Sequence, residues 1–196
     1  MMLKEYVCVA NLEPLMALGA EKPRSASFAT LEIRENENLA LASLALRRET
    51  VEPQPFGLNL PGPGCWVADN EVAVFWTGPD QWMIEAQGRY EEDFAANLKE
   101  QATGCAVTEQ TGGWVAVEIM SVAGTEPIEA LLAKLINIDL ADFGPGRATR
   151  TVLEHMTCFV IRRSETHFSV LGARSFAASL WHVLEIAAKR LEEKAA

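Results

Sequence analysis

The chain has 196 residues, and its 17 basic and 27 acidic side chains give a formal net charge of −10. Hydrophobic residues make up 49% and charged residues 22%, which is ordinary for a globular domain. Acidity argues against nucleic-acid binding, because neutralising phosphates requires clustered basic residues. The best basic clusters here are only the pairs Arg47–Arg48 and Arg162–Arg163.

The sequence carries neither the pattern of a membrane-spanning helix nor that of a signal peptide. The most apolar stretch, residues 38–46, is about half the length that a membrane-spanning helix needs. Residues 1–6 lack the order of charged and then apolar residues that is typical of a signal peptide. We therefore expect a cytoplasmic protein.

Residues 1–27 show no regular hydrophobic period and contain Pro14, Gly19 and Pro23. We expect an N-terminal arm there, which either wraps a partner or is a frayed terminus. From residue 28 to residue 196 we expect a single domain. The prolines between 53 and 63 end in a Pro-Gly-Pro-Gly run and predict a loop, with a seam between two lobes near 53–66.

Alternating apolar residues predict the strands. Leu31 and Ile33 lie in a half-buried strand over residues 28–34, and residues 39–46 form a second strand, favoured over a helix by its length. The Asn-rich turn at residues 36–38 predicts a hairpin between them. Further strands are predicted over residues 71–76, 81–86, 105–109, 114–120, 149–153, 157–162 and 167–171.

Three helices follow from the 3.6-residue period. The first covers residues 90–102, with acids 91–93 in its first turn and Gly104 to end it. The second starts at Thr125 as N-cap, with Pro127 in its first turn. The third starts after Ser175 as its cap and buries Phe176, Leu180, Val183, Leu184, Ala187 and Leu191. Strand runs broken by single helices predict an α+β fold of antiparallel or mixed sheets with helices on one face.

Nucleophile and phosphate-binding motifs are missing from the sequence. It contains neither G-x-G-x-x-G nor a P-loop, and residues 144–147 (Gly-Pro-Gly-Arg) predict a structural turn because proline removes a backbone donor. Ser121 lies at a strand-to-helix junction, but no G-x-S-x-G surrounds it and no base follows at a defined spacing. We expect no catalytic residue and no cofactor-binding residue in this chain.

Metal binding is also not expected. Cys8, Cys65, Cys105 and Cys158 include no C-x-x-C motif, so they predict free buried thiols. His155 and Cys158 form an H-x-x-C, but a zinc site needs three or four ligands. Glu154 and His155 would face opposite sides of a strand, which argues against a base and its orienting acid. His182, beside Trp181, predicts packing between helix and sheet.

Five tryptophans are many for this length. For each tryptophan taken alone, a position in the core is the favoured prediction. Together, the five are compatible with large buried contacts to another subunit. They are Trp66, Trp76, Trp82, Trp114 and Trp181.

Several segments, in the same order along the chain, resemble the gamma subunit family of bacterial heterotetrameric sarcosine oxidases. They are Leu39–Arg47, Gly57–Pro63, Phe75–Trp82, Asp139–Gly146, Arg150–Thr151 and Ser175–Trp181. The chain departs from the family's usual pattern at Ala123–Thr125, where Gly-Pro is common, and at Ile136–Ile138, where Cys-Pro is common.

The resemblance implies a fold related to the folate-binding aminomethyltransferase (T-protein) module. It implies a non-catalytic gamma subunit that packs mainly on the alpha subunit of an enzyme that also has beta and delta subunits. That enzyme demethylates sarcosine to glycine and yields hydrogen peroxide with formaldehyde or methylene-tetrahydrofolate. NAD and tetrahydrofolate are expected on alpha, FAD and FMN on beta, and zinc on delta, with no cofactor on this chain.

The alternative is a stand-alone folate-binding protein of the T-protein superfamily. One branch carries a Lys-Gly-Cys-Tyr/Phe-x-Gly-Gln-Glu signature, of which residues 103–106 (Thr-Gly-Cys-Ala) keep only the Gly-Cys. The subunit hypothesis further predicts an exposed apolar patch well above the few hundred Å² common on monomers.

Overall fold

The computed structural model of the chain describes residues 16–195. Its strands are β1 (Ser25–Ser27), β2 (Leu31–Asn36), β3 (Leu39–Ala45), β4 (Trp66–Asp69), β5 (Val72–Gly78), β6 (Gln81–Gln87), β7 (Ala106–Glu109), β8 (Trp114–Ser121), β9 (Arg147–Leu153), β10 (Met156–Ser164) and β11 (His167–Ala173). Its helices are α1 (Phe94–Gln101), α2 (Glu126–Leu135) and α3 (Ala177–Ala195). None of the helices in this range has the length and apolar character needed to cross a membrane.

The strands form two antiparallel sheets. One has six strands in the order β1-β2-β8-β11-β10-β9, and the other has five in the order β4-β5-β6-β3-β7. Every neighbouring pair in both sheets runs antiparallel. Antiparallel sheets with helices on one face of each confirm the predicted fold class.

The two sheets pack face to face, and each carries helices on its outer face. Side chains alternate along each strand, so Val115 and Val117 of β8 join the core beneath α2 and α3, while Ala116 between them joins the core between the sheets. In the five-stranded sheet, Ile84 of β6 faces the core with α1 and Met83 faces the other sheet. The layers therefore run helices, sheet, sheet, helix, with three apolar cores between them.

Aromatic rings fill the core between the sheets. Phe159 of β10 packs against Phe75 of β5 with ring centroids 5.1 Å apart, and against Trp114 with centroids 5.5 Å apart. Phe75 is fully buried and Phe159 nearly so. Because the contact joins a strand of each sheet, burial at this point holds the two sheets to one another.

The hairpin predicted around residues 36–38 is wrong. β2 pairs with β1 and β8, whereas β3 pairs with β6 and β7, so the two strands belong to different sheets. The Asn-rich turn carries the chain from one sheet to the other and is closed by Asn36 Oδ1, which accepts from the Asn38 backbone N–H at 3.1 Å. The turn signal was correct, but β3 is buried on both faces and takes two other partners.

Element starts also shift from their predicted positions. The first predicted strand begins at Leu31 and not at residue 28, because the Phe28 N–H closes a turn onto the Leu31 carbonyl at 2.8 Å. α1 begins at Phe94, since Asp93 caps it by accepting from the Ala96 N–H at 3.0 Å. Acidic residues 91 and 92 therefore precede the helix and do not lie in its first turn.

Caps of the other two helices differ from the expectation. Thr125 occupies the N-cap position of α2, but its side chain makes no capping hydrogen bond. Ser175 lies in a short 3₁₀ turn, Arg174–Phe176, and α3 begins at Ala177. Phe176, expected to be buried, is 51% exposed because that turn precedes the helix face that carries Leu180 into the core.

Residues 1–15 of the expected arm lie outside the described residues. Its last residues, Ser25–Ser27, form the edge strand β1 and pair with β2. The proline-rich segment 53–66 joins β3 to β4, two strands of one sheet. The chain passes between the sheets elsewhere, at residues 37–38 and 110–113.

Replacing Phe159 by Ala should lower the free energy of unfolding by about 3–5 kcal/mol, because a buried ring between the sheets leaves a cavity. Phe176→Ala is the matched control and should change it by less than about 1 kcal/mol, since that ring is half exposed. Urea unfolding followed by tryptophan fluorescence and by circular dichroism measures both. Equal effects of the two changes would contradict this arrangement of the core.

Candidate functional site

A cluster of polar side chains continues the layer between the sheets at one end. Glu85 lies two residues after Met83 on β6, and Arg163 lies two residues after Ile161 on β10, so both keep the inward direction of the apolar residues before them. Glu118 of β8 lies directly opposite Ser169 of β11 in the sheet register. The cluster therefore gathers side chains from both sheets.

Arg163 and Glu85 form an ion pair across the two sheets. Arg163 Nη1 donates to Glu85 Oε1 at 2.6 Å, and Nη2 donates to Oε2 at 3.0 Å. The Glu85 side chain is only 2% exposed. Trp66 Nε1 donates to Glu85 Oε1 at 2.7 Å, and the guanidinium lies 5.4 Å from the centre of the Trp66 ring. This buried carboxylate is therefore saturated with donors, in the bidentate geometry that suits arginine.

Glu118 is the second carboxylate of the cluster. Its Oε2 accepts from the Ser169 hydroxyl and lies 2.8 Å from His167 Nε2. Its Oε1 accepts from Asn36 Nδ2 at 2.8 Å. Arg163 Nε donates to Ser169 Oγ and lies 3.5 Å from Glu118 Oε2. Glu118 is thus joined to the Glu85 pair through Arg163.

The electrostatics of the cluster favour the charged forms of Glu118 and Arg163. Burial alone would raise the pKa of Glu118, but the Arg163 charge and the hydrogen bonds from His167 and Ser169 outweigh it and lower that pKa to about 2. Burial would lower the pKa of Arg163, but the charges of Glu85 and Glu118 outweigh it and raise that pKa. The Glu118 carboxylate and the Arg163 guanidinium are therefore both charged at neutral pH.

Serine, histidine and glutamate meet here without forming a catalytic triad. In a triad the histidine bonds the serine hydroxyl with one ring nitrogen and the acid with the other. Here Ser169 and His167 Nε2 both contact the same oxygen, Glu118 Oε2. Ser169 is also fully buried, so no substrate reaches its hydroxyl. The arrangement uses these groups to satisfy a buried charge.

A depression of about 380 Å³ opens beside this cluster. Glu85, Glu118, Arg163 and His167 are among its lining residues. Of these, His167 has the most exposed side chain, at 29%. The charged atoms that line the depression are already bonded to one another, so they hold the sheets together more than they offer sites to a ligand.

A larger cleft, of about 710 Å³, lies between β2 and β8 of one sheet and β3 of the other. Its charged lining is mostly acidic and comprises Glu35, Glu37, Glu92, Asp93, Glu109 and Arg174. Glu35 is buried and accepts from the backbone N–H groups of Leu18 and Arg24, both at 3.3 Å. Excess negative charge here opposes folates and dinucleotides, which are anions.

Two pairs singled out in the sequence are not arranged as a site. Glu154 and His155 lie between the predicted strands 149–153 and 157–162, and they form the two-residue turn between β9 and β10, with φ of 41° and 71°. Both are exposed. Cys158 is buried beneath the helices α2 and α3, so the H-x-x-C residues do not come together. No group of three metal-binding side chains gathers anywhere in the described part of the chain.

His182 was expected to pack between helix and sheet, but it is exposed. Its neighbour Trp181 does the packing, and Trp181 Nε1 donates to Glu185 Oε2 at 3.0 Å. Successive residues of a helix point about 100° apart, so only one of the two can face the core. Ser121 Oγ accepts from the Ala123 N–H at 3.1 Å, a local turn contact. Residues 144–147 form the predicted turn, with Arg147 N–H donating to the Gly144 carbonyl at 3.3 Å.

Cys105 and Cys158 are buried free thiols, as predicted, whereas Cys65 is only half-buried. Burial raises the pKa of Cys158 to about 11, so it is an unreactive thiol. Cys65 Sγ accepts from Arg147 Nη1 at 3.4 Å. Cys8 lies outside the described residues.

Tryptophans divide between core and half-buried positions. Trp82 and Trp181 are buried, and Trp82 Nε1 donates to the Pro61 carbonyl at 2.8 Å. Trp66, Trp76 and Trp114 are half-buried. Trp66 and Trp114 pack at the ends of the core between the sheets.

The expected large apolar patch is not found among the described residues. Their exposed large apolar side chains are Val51, Val122, Val152 and Phe176. Val51 follows β3 of the five-stranded sheet, while Val122 and Val152 lie at opposite ends of the other sheet. These side chains are separate from one another, so a partner that binds the described part of this chain must use contacts other than one broad apolar surface.

Sequence reasoning missed Glu85, Glu118, Arg163 and Ser169 as a cluster. A signal was present, because each occupies an inward position of a strand whose other inward residues are apolar. A charge at such a position needs a buried partner. Which charges pair with one another depends on the relative position of the two sheets, and the periodicity of single strands carries no information about that position.

Comparisons with known proteins give a family from the sequence and a fold from the structure. The model of the sarcosine oxidase, gamma subunit family matches residues 46–190. A chain of the heterotetrameric sarcosine oxidase from Corynebacterium sp. U-96, solved in complex with pyrrole 2-carboxylate, is similar with a TM-score of 0.72 and 21% identity, covering 85% of this chain and 88% of that one. A comparison with curated protein sequences found no significant match.

The fold resembles a second protein as well. Aminomethyltransferase T of the glycine cleavage system from Bartonella henselae has a TM-score of 0.55 and 15% identity. The match covers 76% of this chain and 44% of that one. This likeness confirms the predicted T-protein-like fold.

Glu85→Gln should lower the free energy of unfolding by about 3–5 kcal/mol, because it leaves the buried Arg163 charge without its main partner. Glu71→Gln removes an exposed carboxylate near the same depression and should change it by less than about 0.5 kcal/mol. Chemical denaturation at neutral pH measures both. A Glu85→Gln protein as stable as the control would show that the ion pair does not stabilise the fold.

Acid should weaken the fold through Glu118. Its pKa is lowered from 4.5 to about 2, so its contribution is complete above pH 4.5 and is lost as the pH falls towards 2. The contribution is at most about 3 kcal/mol. Stability curves against pH should therefore be flatter for Glu118→Gln than for wild type in that window, whereas the exposed Glu32→Gln should follow wild type. Parallel curves for Glu118→Gln and wild type would contradict the assignment.

Proposed function

Since this chain belongs to the sarcosine oxidase, gamma subunit family, we propose that it serves as a non-catalytic subunit of a heterotetrameric sarcosine oxidase and packs mainly on the alpha subunit. The observation that carries the proposal is the family match, which spans residues 46–190. A chain of similar length in a heterotetrameric sarcosine oxidase supports it, because the two folds overlap over most of both chains.

The internal chemistry of the chain is consistent with this role. The charged side chains between the sheets bond one another, with Arg163 bound to Glu85 and close to Glu118. Ser169, whose hydroxyl contacts the same Glu118 oxygen as His167, is buried. Polar groups used in this way stabilise a fixed shape for a partner to bind.

The partners and cofactors follow from the same proposal. Alpha, beta and delta subunits would complete the enzyme, with NAD and tetrahydrofolate on alpha, FAD and FMN on beta, and zinc on delta. The whole complex would oxidise sarcosine to glycine in the cytoplasm, giving hydrogen peroxide and formaldehyde or methylene-tetrahydrofolate. The acidic lining of the cleft of about 710 Å³ supports placing the anionic cofactors on other subunits.

Purification of the tagged chain from its own cells tests this proposal. We expect a native mass far above 21.5 kDa, visible flavin absorption and partner subunits identified by mass spectrometry. The isolated chain, expressed alone, should show no thermal stabilisation by tetrahydrofolate. A colourless species of monomer or dimer mass that tetrahydrofolate stabilises would overturn the proposal and favour a stand-alone folate-binding protein.

A further inference from the structure

The edge of the six-stranded sheet that is formed by β9 has unpaired backbone groups. β9 is the last strand on that side and pairs only with β10. The two-residue turn after β9 makes Leu153 and Met156 a hydrogen-bonded pair. From there along the ladder, hydrogen-bonded pairs alternate with pairs whose backbone groups do not bond each other. By this alternation Ala148, Arg150 and Val152 direct their N–H and C=O groups away from β10.

One of these three positions is already covered. The Ala148 N–H donates outward to the Gly64 carbonyl at 3.1 Å, and Cys65 bridges Arg147, so the segment before β4 closes the first part of the edge. For Arg150 and Val152, no hydrogen-bond partner of the outward groups is found in residues 16–195. The open edge therefore consists of residues 149–153.

The side chains on this edge are unusual for solvent. Val152 is 61% exposed, one of the few large apolar side chains that are, and Arg150 is exposed beside it. Both point to the same face as Ala148, which packs against the other sheet. They are therefore uncovered because the five-stranded sheet does not extend over this part of β9.

Charge decides between the candidate occupants. The charged side chains of β9 are Arg147 and Arg150, both basic, on a chain with a formal net charge of −10. A second copy paired through β9 would bring two Arg150 side chains close together on one ladder, where like charges repel. An added strand with acidic side chains would instead form cross-strand ion pairs with Arg150.

We propose that an extended, acidic segment of the partner subunit adds to the six-stranded sheet along β9, bonding the backbone of Arg150 and Val152 and covering the Val152 side chain. This inference rests on the proposed function, since it names the surface that the partner uses. Strand addition needs no broad apolar patch, because main-chain hydrogen bonds supply affinity and alternate side chains supply specificity. It also removes an open edge that would otherwise favour aggregation.

The test purifies tagged variants from cells that produce the whole complex. Arg150→Glu with Val152→Asp should reduce the partner subunits recovered per chain by at least about tenfold. The control is Arg48→Glu with Val51→Asp, which makes the same chemical changes at exposed residues of the segment after β3. It should recover as many partner subunits per chain as wild type does. Equal recovery by the two double variants would overturn the inference.

Two further measurements keep the test decisive if the first double variant misfolds. Val152→Pro removes an outward N–H while leaving the ladder to β10 intact, so it should fold and still lose the partner. In the wild-type complex, the amides of Arg150 and Val152 should exchange hydrogen at least about tenfold more slowly than in the chain alone. Unchanged exchange, or full recovery by Val152→Pro, would contradict strand addition.

Wild-type behaviour separates the two proposals. If the wild-type chain is purified without flavin-containing partners, the proposed function fails and this inference fails with it. If wild type carries the partners and the β9 variants do so equally well, only the docking surface is wrong. A wild-type chain that elutes as a homodimer, and as a monomer after Val152→Pro, would show that the edge binds a second copy.

Discussion

The contact between the two sheets is the constraint on which the rest of the structure depends. An apolar layer around Phe75 and Phe159 provides most of it, and the layer ends in the ion pair of Arg163 with Glu85. Apolar burial is not directional, so it tolerates some sliding of one sheet over the other. A bidentate ion pair does not tolerate such sliding. The Glu85 carboxylate is only 2% exposed to water, so it would be left without its arginine partner if the sheets shifted. The pair therefore specifies one relative position of the sheets.

This packing also determines which surfaces remain for a partner. Helices α2 and α3 cover the outer face of one sheet, and α1 covers that of the other, while the inner faces cover each other. A subunit built in this way has little uncovered sheet face to offer. Its free edge at β9 is the place where backbone groups, an exposed valine and a positive charge occur together. A docking mode that uses an edge fits the absence of a broad apolar patch among the described residues.

Much of the fold could be predicted from the sequence because it depends on local pattern. The period-two alternation located β6 and β11 closely, and the 3.6-residue stripe of residues 128–135 located α2. Strands β1 and β4 have three and four residues, and they were missed because each follows a proline-containing stretch that predicts a loop. Strand β7 is as short as β4 but does not follow a proline, and it was predicted. The resemblance to the gamma subunit family, carried by ordered segments, led to the family that the comparisons confirm.

Pairing was harder to predict than the elements themselves. The Asn36–Asn38 turn has the composition of a hairpin, but β3 finds its partners in β6 and β7, which come later in the chain. The polar cluster was missed for a similar reason. Glu85 and Arg163 are 78 residues apart, and their contact exists only after both sheets have formed and packed. Long-range pairing of this kind is not encoded in any short window of sequence.

A double-mutant cycle on Glu85 and Arg163 tests the central claim most directly. The free energy of unfolding is measured for wild type, Glu85→Gln, Arg163→Gln and the double variant. If this pair fixes the sheets to each other, the summed losses of unfolding free energy in the two single variants will exceed the loss in the double variant by at least about 1 kcal/mol. Effects that add within about 0.5 kcal/mol would contradict the account, since the two residues would then stabilise their own sheets independently.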